Sequence, residues 1–600
     1  MQAVLLTLAL VSLAHAVEVT PTLGVVSDSD GNLSCVNFSE TPKDAMLAWG
    51  GYEDTIPVDG WSYLSISSSP AAKNLVQSRA AGYLEACLTH SRIYQYSLIH
   101  ADDYGWSSDL RAYSTENYNY MNEQIALAGG ADPFWEQVSL LLEQQRGMFE
   151  GYTAHAPAAH AISWETMVTM SMHSDMDTLC PLYGGCTPVN GEEEAEEAMR
   201  SDRIMTNDHP SKPPSAPFKI KDHCSVIVKL VLATDETPSE LYTSHTTWTG
   251  FQEMLRIYKM YDFPYQVSSS ESSSSEVVPG RKIALASYPG NLFSTDDWYT
   301  ISSGLASTET TIDNHNESIW GEVQPQTVLT WIRTMVSNRL ATDGASWAAT
   351  FAKHNSGTYN NEFHVVDYNV FAASQQQQSN AGDSELHLLP GVLTIVDQMP
   401  GHIEVSDETG KLQNTGYWAS YNRPGLPYTY KNMNYTATVE AYGPHYSHAL
   451  CARGRIFEML HDTIVDEASL KKVMRWNQFD NDAVPKAITE QMCASGPSAS
   501  NAISERGDLT KRSSNCADDV TRQNEGGIDM KYTTAALMAK ARANTADGGV
   551  APASVAQSGP TYDDQPVFVW SESPFPGVVH TGMPDRWEFP YVMVDWSAGQ

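Results

Sequence analysis

The stretch FKIKDHCSVIVKL, Phe218 to Leu230, sets a single cysteine, Cys224, at the head of an apolar, β-branched run. A cysteine there can be core, half of a disulfide, or a nucleophile held at the mouth of a strand. The context upstream bears on the choice. GEEEAEEAMRSDRIMTNDHPSKPPSAP, Gly191 to Pro217, is charged, Pro-rich and without apolar period, and marks residues 188–217 as an exposed linker. Cutting between His223 and Cys224 makes Cys224 a new N-terminus at the first residue of a strand. A terminal cysteine brings its own base, because an α-amine has a reference pKa of about 7.7–8.0 against about 8.5 for a thiol. The amine takes the thiol proton directly or through a water, and no separate triad is needed.

Competing chemistries have less to stand on. The chain contains neither a G-x-S-x-G elbow nor an H-E-x-x-H motif. The histidine pair of HYSH, His445 and His448, lacks a carboxylate or cysteine framework and reads as a surface feature. Nothing in the sequence calls for a metal or a cofactor. Asp296-Asp297 reads as a turn or helix cap rather than an acid–base pair.

The elements that position Cys224 follow from periodicity. Residues 40–175 read mostly as helix, with apolar spacing in PFWEQVSLLLEQQRGMFEGY and SWETMVTMSMH. From CSVIVKLVLA onward strands dominate: KIALASYPG, WYTISSGLASTETTI, FHVVDYNVF, GVLTIVDQM and GHIEV. Helices return in VLTWIRTMVSNRLA and DEASLKKVMRWN, while SSSESSSSE (268–276) and SQQQQSN (374–380) read as solvated loops.

At 600 residues and 42% apolar, the chain can bury a large core. Its formal charge of −36 repels nucleic acid and anionic membranes at neutral pH. Residues 1–16 read as a secretory signal cleaved after Ala16, and no other stretch is apolar enough to span a membrane. That places the protein in the secretory or lysosomal route, where the sequons at Asn32, Asn37, Asn316 and Asn434 are expected to carry glycans. Eight cysteines are too few for a disulfide scaffold. Cys180–Cys186 and Cys493–Cys516 are the plausible bridges, and Cys87, within a helical pattern, is expected to be a buried thiol.

The chain resembles the phospholipase B-like, or lamina-ancestor, family over nearly all of its mature length. The stretches that carry this include CSVIVKL, SHTTWTGFQEMLRIYKMY, SYPGNLFSTDDWY, WIRTMVSNRLATDGASWA, NSGTYNNEFHVVDY, GYWASYNRP and GMPDRWEF. The resemblance implies an α+β fold of N-terminal-nucleophile type, a four-layer αββα sandwich, with autocatalytic cleavage before Cys224. A helical N-terminal chain, 17–223, and a catalytic chain, 224–600, then form one unit. It further implies roles for the histidine of SHTTW (His245), the asparagine of WASYN (Asn422) and the first arginine of ARGRIF (Arg453). With Cys224 as nucleophile, Asn422 is expected to stabilise the oxyanion, His245 to orient nucleophile or substrate, and Arg453 to hold a polar or anionic group. Trp248 and Thr246 are expected to touch substrate; Thr246 stands where the family often has asparagine. The implied activity is hydrolysis of acyl esters of phospholipids, or of linear acyl amides, with at most transient contact with a membrane surface. The alternative from another class is a non-catalytic secreted binding glycoprotein.

Overall fold

The computed structural model describes residues 17, 19–100, 106–184, 224–234, 237–268, 276–382, 385–479, 498–510, 522–544 and 549–596. The signal segment, the linker 188–217, His223 and most of the serine-rich insert lie outside them.

Strands are numbered along the chain. Eleven form one sheet in the order β13 (His402–Asp407), β12 (Leu393–Met399), β11 (Asn361–Asp367), β10 (Leu305–Thr311), β9 (Trp298–Ile301), β8 (Lys282–Ser287), β7 (Ile257–Asp262), β4 (Ser62–Ser68), β3 (Ala48–Asp54), β1 (Leu23–Ser27) and β2 (Leu33–Asn37). A seven-stranded sheet runs β14 (Tyr417–Ser420), β5 (Cys224–Val231), β6 (Glu240–Gly250), β16 (Asp529–Thr534), β17 (Ala553–Ser558) and β20 (Val592–Asp595), with β15 (Glu525–Gly527) also on β6. A separate pair joins β18 (Phe568–Val569) to β19 (Arg586–Trp587). The parallel seam between β4 and β7 splices strands that precede Cys224 into a sheet built mostly from strands that follow it.

The reason β5 sits inside is visible in its side chains. Seven of its eight residues are buried, as expected for a strand covered on both faces. Val228 and Leu230 pack with Ala306, Val366 and Ile395 of the eleven-stranded sheet. Ile227, of opposite parity, packs with Ile456, Phe457 and Met474 from the helices Ala452–Leu460 and Glu467–Met474. The other face of the large sheet, through Ile66, Leu285 and Val365, shares a core with the helices Asn74–His100, Pro133–His155, Trp164–Tyr183 and Thr330–Leu340. The first two of these helices approach closely through Gly82 and Gly147, where an added Cβ would lie 1.9 Å from the Gln144 carbonyl oxygen and 2.0 Å from that of Arg79. The fold is therefore α+β, with two large sheets and helices. Among the described residues no helix is long and apolar enough to cross a membrane.

Three sequence expectations are corrected. The helical reading of 40–175 applies from Asn74; before it the chain forms strands, because SYLSISS alternates and Gly50-Gly51 disfavours helix. SQQQQSN lies within the helix Tyr368–Ala381, whose N-cap Asp367 accepts from the backbone N–H groups of Asn369 and Val370, and glutamine is a good helix former. Cys87 is not a thiol but is bonded to Cys35, because β2 lies beside the helix that carries Cys87. Cys180 is also disulfide-bonded, whereas Cys186, Cys493 and Cys516 lie outside the described residues.

Bridging cysteines 52 residues apart restrains the unfolded chain by about 4 kcal/mol in the chain-entropy limit. The Cys35→Ser/Cys87→Ser variant is expected to unfold at a clearly lower denaturant concentration than the wild type; an unchanged midpoint contradicts the bridge.

Candidate active site

Cys224 opens β5 in the crevice between the two sheets and is 1% exposed. In the antiparallel register with β6 it stands opposite Thr247, and Val226 stands opposite His245. Strand alternation sends Cys224, His245 and Thr247 to the same side, toward the large sheet. There His245 Nε2 lies 3.1 Å from the Glu309 carbonyl oxygen of β10, and Cys224 Sγ lies 3.8 Å from Asp297 Oδ2. The Cys224 backbone N–H donates to Asn422 Oδ1 at 3.3 Å. Arg453 donates to the Cys224 carbonyl, to Asn422 Oδ1 at 2.7 Å and to the Tyr421 carbonyl at 2.9 Å. Its guanidinium stacks on Trp248, 4.2 Å from the ring centre. Asn422 and Arg453 thus grip the backbone of the first strand residue on both sides of its Cα.

The surrounding backbone is strained. Among the described residues five non-glycines have left-handed φ, and three of them meet here: Asp297 (54°), Tyr359 (47°) and Asn422 (68°). Each such residue costs on the order of 1–3 kcal/mol, and such outliers cluster at functional sites. Tyr359 donates its hydroxyl to both Asp297 carboxylate oxygens at 3.0 Å. A narrow cavity opens onto the group, lined by Cys224, Trp248, Asp297, Thr311 and Tyr359, with His173 and Glu253 on the helical side.

Burial governs the proton positions. It pushes the Asp297 carboxyl up to about 7. The neighbouring Glu309 is pushed well above the carboxylate range, first by burial and then by the Asp297 charge, so the pair holds a proton at neutral pH. Burial, and then these two acids, push the Cys224 thiol up as well; the Trp248 backbone N–H opposes them. His245 is held well below the ordinary imidazole range by burial and by the Lys531 charge. Its ring is neutral, with Nδ1 3.4 Å from Thr247 Oγ1. Behind it Lys531, Arg256, Asp296 and Asp529 form a fully buried ion network, with Lys531 Nζ donating to Thr247 Oγ1 at 2.7 Å. Such charges persist in a dry interior only when paired.

The structure thus brings Cys224, His245, Asn422, Arg453 and Trp248 together. Three of the expected site residues have protein partners that bear on their roles. Asn422 Nδ2 donates to the Thr311 carbonyl at 2.7 Å while its Oδ1 accepts from the Cys224 N–H, so its amide also holds the nucleophile's backbone. The Arg453 fork is likewise directed at protein acceptors. Thr246 does not line the cavity, because it lies on the opposite face of β6, where its hydroxyl donates to the Met474 carbonyl at 3.0 Å. Asp297, read from sequence as a turn residue, is 2% exposed and faces the thiol. Its backbone has a left-handed φ of 54°, and its side chain belongs to the site. Tyr359 and Glu309 had no sequence signal beyond their place in family-like motifs. Cys224 Sγ, one His245 nitrogen and one Asp297 oxygen lie within 4.8 Å of one another, close enough to share a soft metal ion as well as a proton. Of the sequons, Asn32, Asn37 and Asn434 are exposed, while Asn316 is half-buried with Nδ2 donating to the Asn432 carbonyl at 2.7 Å.

Folded Asp297 keeps its proton to about pH 7, whereas in the unfolded chain an aspartate ionises near about pH 4. The folded state binds the extra proton between those values, so this carboxyl weakens the fold progressively as pH rises through that window. Asp297→Asn is expected to raise the thermal midpoint relative to wild type at about pH 8 and to change it little at about pH 4. Equal shifts at both would contradict the assignment.

The Phospholipase B family profile matches residues 48–594. The rat protein named "Putative phospholipase B-like 2" is 33% identical over 562 residues, covering 92% of this chain and 86% of its own. The Dictyostelium discoideum phospholipase B-like protein C is 31% identical over 592 residues, covering 96% and 91%. Phospholipase B-like protein B of the same organism is 30% identical over 553 residues, covering 91% and 85%.

Proposed function

The chain belongs to the phospholipase B family, and from that premise we propose that it is a secreted or lysosomal acyl hydrolase that cuts itself before Cys224. The freed N-terminal cysteine then deacylates phospholipids or related acyl amides. One observation carries this reading: the nitrogen and the sulfur of the same residue are buried together at the inner end of a cavity, each with its own side-chain partner, Asn422 and Asp297. A structural cysteine needs neither. On this reading the two facing sheets and the helices outside them are the αββα core of an N-terminal-nucleophile hydrolase.

In the uncut chain the Cys224 nitrogen is an amide and has no basicity to offer. Asp297 is then the base in reach of the thiol, and its raised affinity for a proton suits the task. Sulfur attacks the His223 carbonyl carbon, the C–N bond breaks as the C–S bond forms, and the proton passes to the departing Cys224 nitrogen. Water hydrolyses the resulting thioester and leaves a free amine beside Asn422. In turnover that amine takes the thiol proton as sulfur attacks the substrate acyl carbon and returns it to the leaving alcohol or amine. Water, deprotonated by the same amine, then attacks the acyl-thioester, and the C–S bond breaks to free the acid and the thiol. The Trp248 backbone N–H, which stabilises the Cys224 thiolate, is the donor proposed for the tetrahedral oxyanion. Arg453 and Asn422 keep the amine from swinging away, which makes them positioning residues.

The test is fatty-acid release from phosphatidylcholine vesicles and from N-acyl amides by the self-cleaved protein between about pH 5 and 8. Cys224→Ala is expected to lose about 10³-fold or more on whichever class is cleaved. In the wild type kcat/KM is expected to rise as the amine loses its proton. Turnover retained by Cys224→Ala, or none on either class by the cleaved wild type, would defeat the proposal.

A further inference from the structure

His173 lines two spaces at once. One is the cavity that ends at Cys224, where Glu253 joins it. The other is a cleft further out, lined also by Tyr96, His100, Trp106 and Arg111. Where the two linings meet, His100 Nε2 lies 3.0 Å from Glu253 Oε1, with only 8% and 6% of those side chains exposed. The His100 and His173 rings are 4.6 Å apart between centres, steeply inclined at 65°. One ligand atom from each of the three residues lies within 4.8 Å of the other two.

Three separate elements supply the three groups. His100 ends the helix Asn74–His100, His173 lies within Trp164–Tyr183, and Glu253 sits in the 3₁₀ turn Phe251–Met254. All three elements share the main core, so the donors converge without needing the chain to move. The carboxylate is oriented from behind: Tyr96 donates its hydroxyl to Glu253 Oε2 at 3.1 Å, leaving Oε1 toward the imidazoles. Tyr96 is itself wedged between His100, 4.4 Å away between ring centres, and Tyr288, at 5.5 Å. An outer hydrogen bond of this kind fixes ligands in metal sites and is maintained with them.

We propose that His100, His173 and Glu253 form a binding site for a divalent transition cation, zinc first among them, beside the cavity that ends at Cys224. Two imidazoles and one carboxylate are the donor set of three-ligand zinc sites that keep a fourth position open. Bond lengths of about 2.0–2.2 Å place tetrahedral partners about 3.4 Å apart, within reach of the spacing seen here by small side-chain rotations. Two nitrogen donors out of three disfavour magnesium and calcium. The cation would stand beside that cavity, separate from the Cys224–His245–Asp297 group, and the inference does not depend on hydrolase activity.

The full-length protein, stripped by a chelator, would be titrated with Co²⁺ as wild type and as Cys224→Ala. One equivalent is expected to bind both, giving visible bands of four- or five-coordinate cobalt and no sulfur-to-cobalt charge transfer. Binding is expected to weaken at least tenfold in His173→Asn and in Glu253→Gln, whose metal-free melting curves serve as the folding control. If both variants misfold, the wild-type titration decides alone. No stoichiometric cobalt, a thiolate band, loss of binding in Cys224→Ala, or undiminished binding in folded His173→Asn would each overturn the site.

Discussion

Strand β5 enters the interior at its first residue, and the site is organised by that constraint. Covered by a sheet on one face and helices on the other, it can leave no backbone group at its head to water. The Cys224 N–H and C=O therefore need partners from elsewhere, and Asn422 and Arg453 supply them. Arg453 in turn ties the Tyr421 carbonyl and the Asn422 amide to the same point and lays its plane on Trp248. Removing the arginine would strip the partners from a buried strand end and release the Asn422 backbone from its left-handed conformation. The nucleophile's position and the strand's burial are thus one structural problem, solved by one cluster.

The electrostatics follow from the same burial. In so buried a crevice like charges cannot both persist, so the Asp297–Glu309 pair holds a proton, the thiol stays protonated and His245 stays neutral. What charge is present is confined to the Lys531–Asp529–Arg256–Asp296 network one layer back, where every member is paired. The crevice carries the stability cost of a carboxyl kept from ionising. Strained backbone at Asp297, Tyr359 and Asn422 is a second cost borne at the same place.

What the sequence made legible was local. An unbroken β-branched run announced β5, and the family-like SHTTW motif supplied His245, which the register places on the adjacent antiparallel strand. Asn422, Arg453 and Trp248 came from the family-like motifs and do meet at Cys224. What stayed hidden depends on which sheets face each other. Asp297 is 73 residues from Cys224 and Tyr359 a further 62, and no periodicity says that their turns end against the thiol. Thr246 was misplaced by one step of strand parity, enough to turn it to the opposite face. The Cys35–Cys87 bridge joins an early strand that was not foreseen to a helix that was, so its partner could not be named.

Whether this arrangement serves a terminal nucleophile is decided most directly by intact-mass measurement and N-terminal sequencing of the purified protein beside Cys224→Ala, before and after acid incubation. The wild type is expected to yield a chain beginning Cys-Ser-Val-Ile and a second chain ending at His223, and the variant to remain uncut at that bond. A wild type that stays joined at His223–Cys224 under every condition would contradict it and leave Cys224 a buried strand residue.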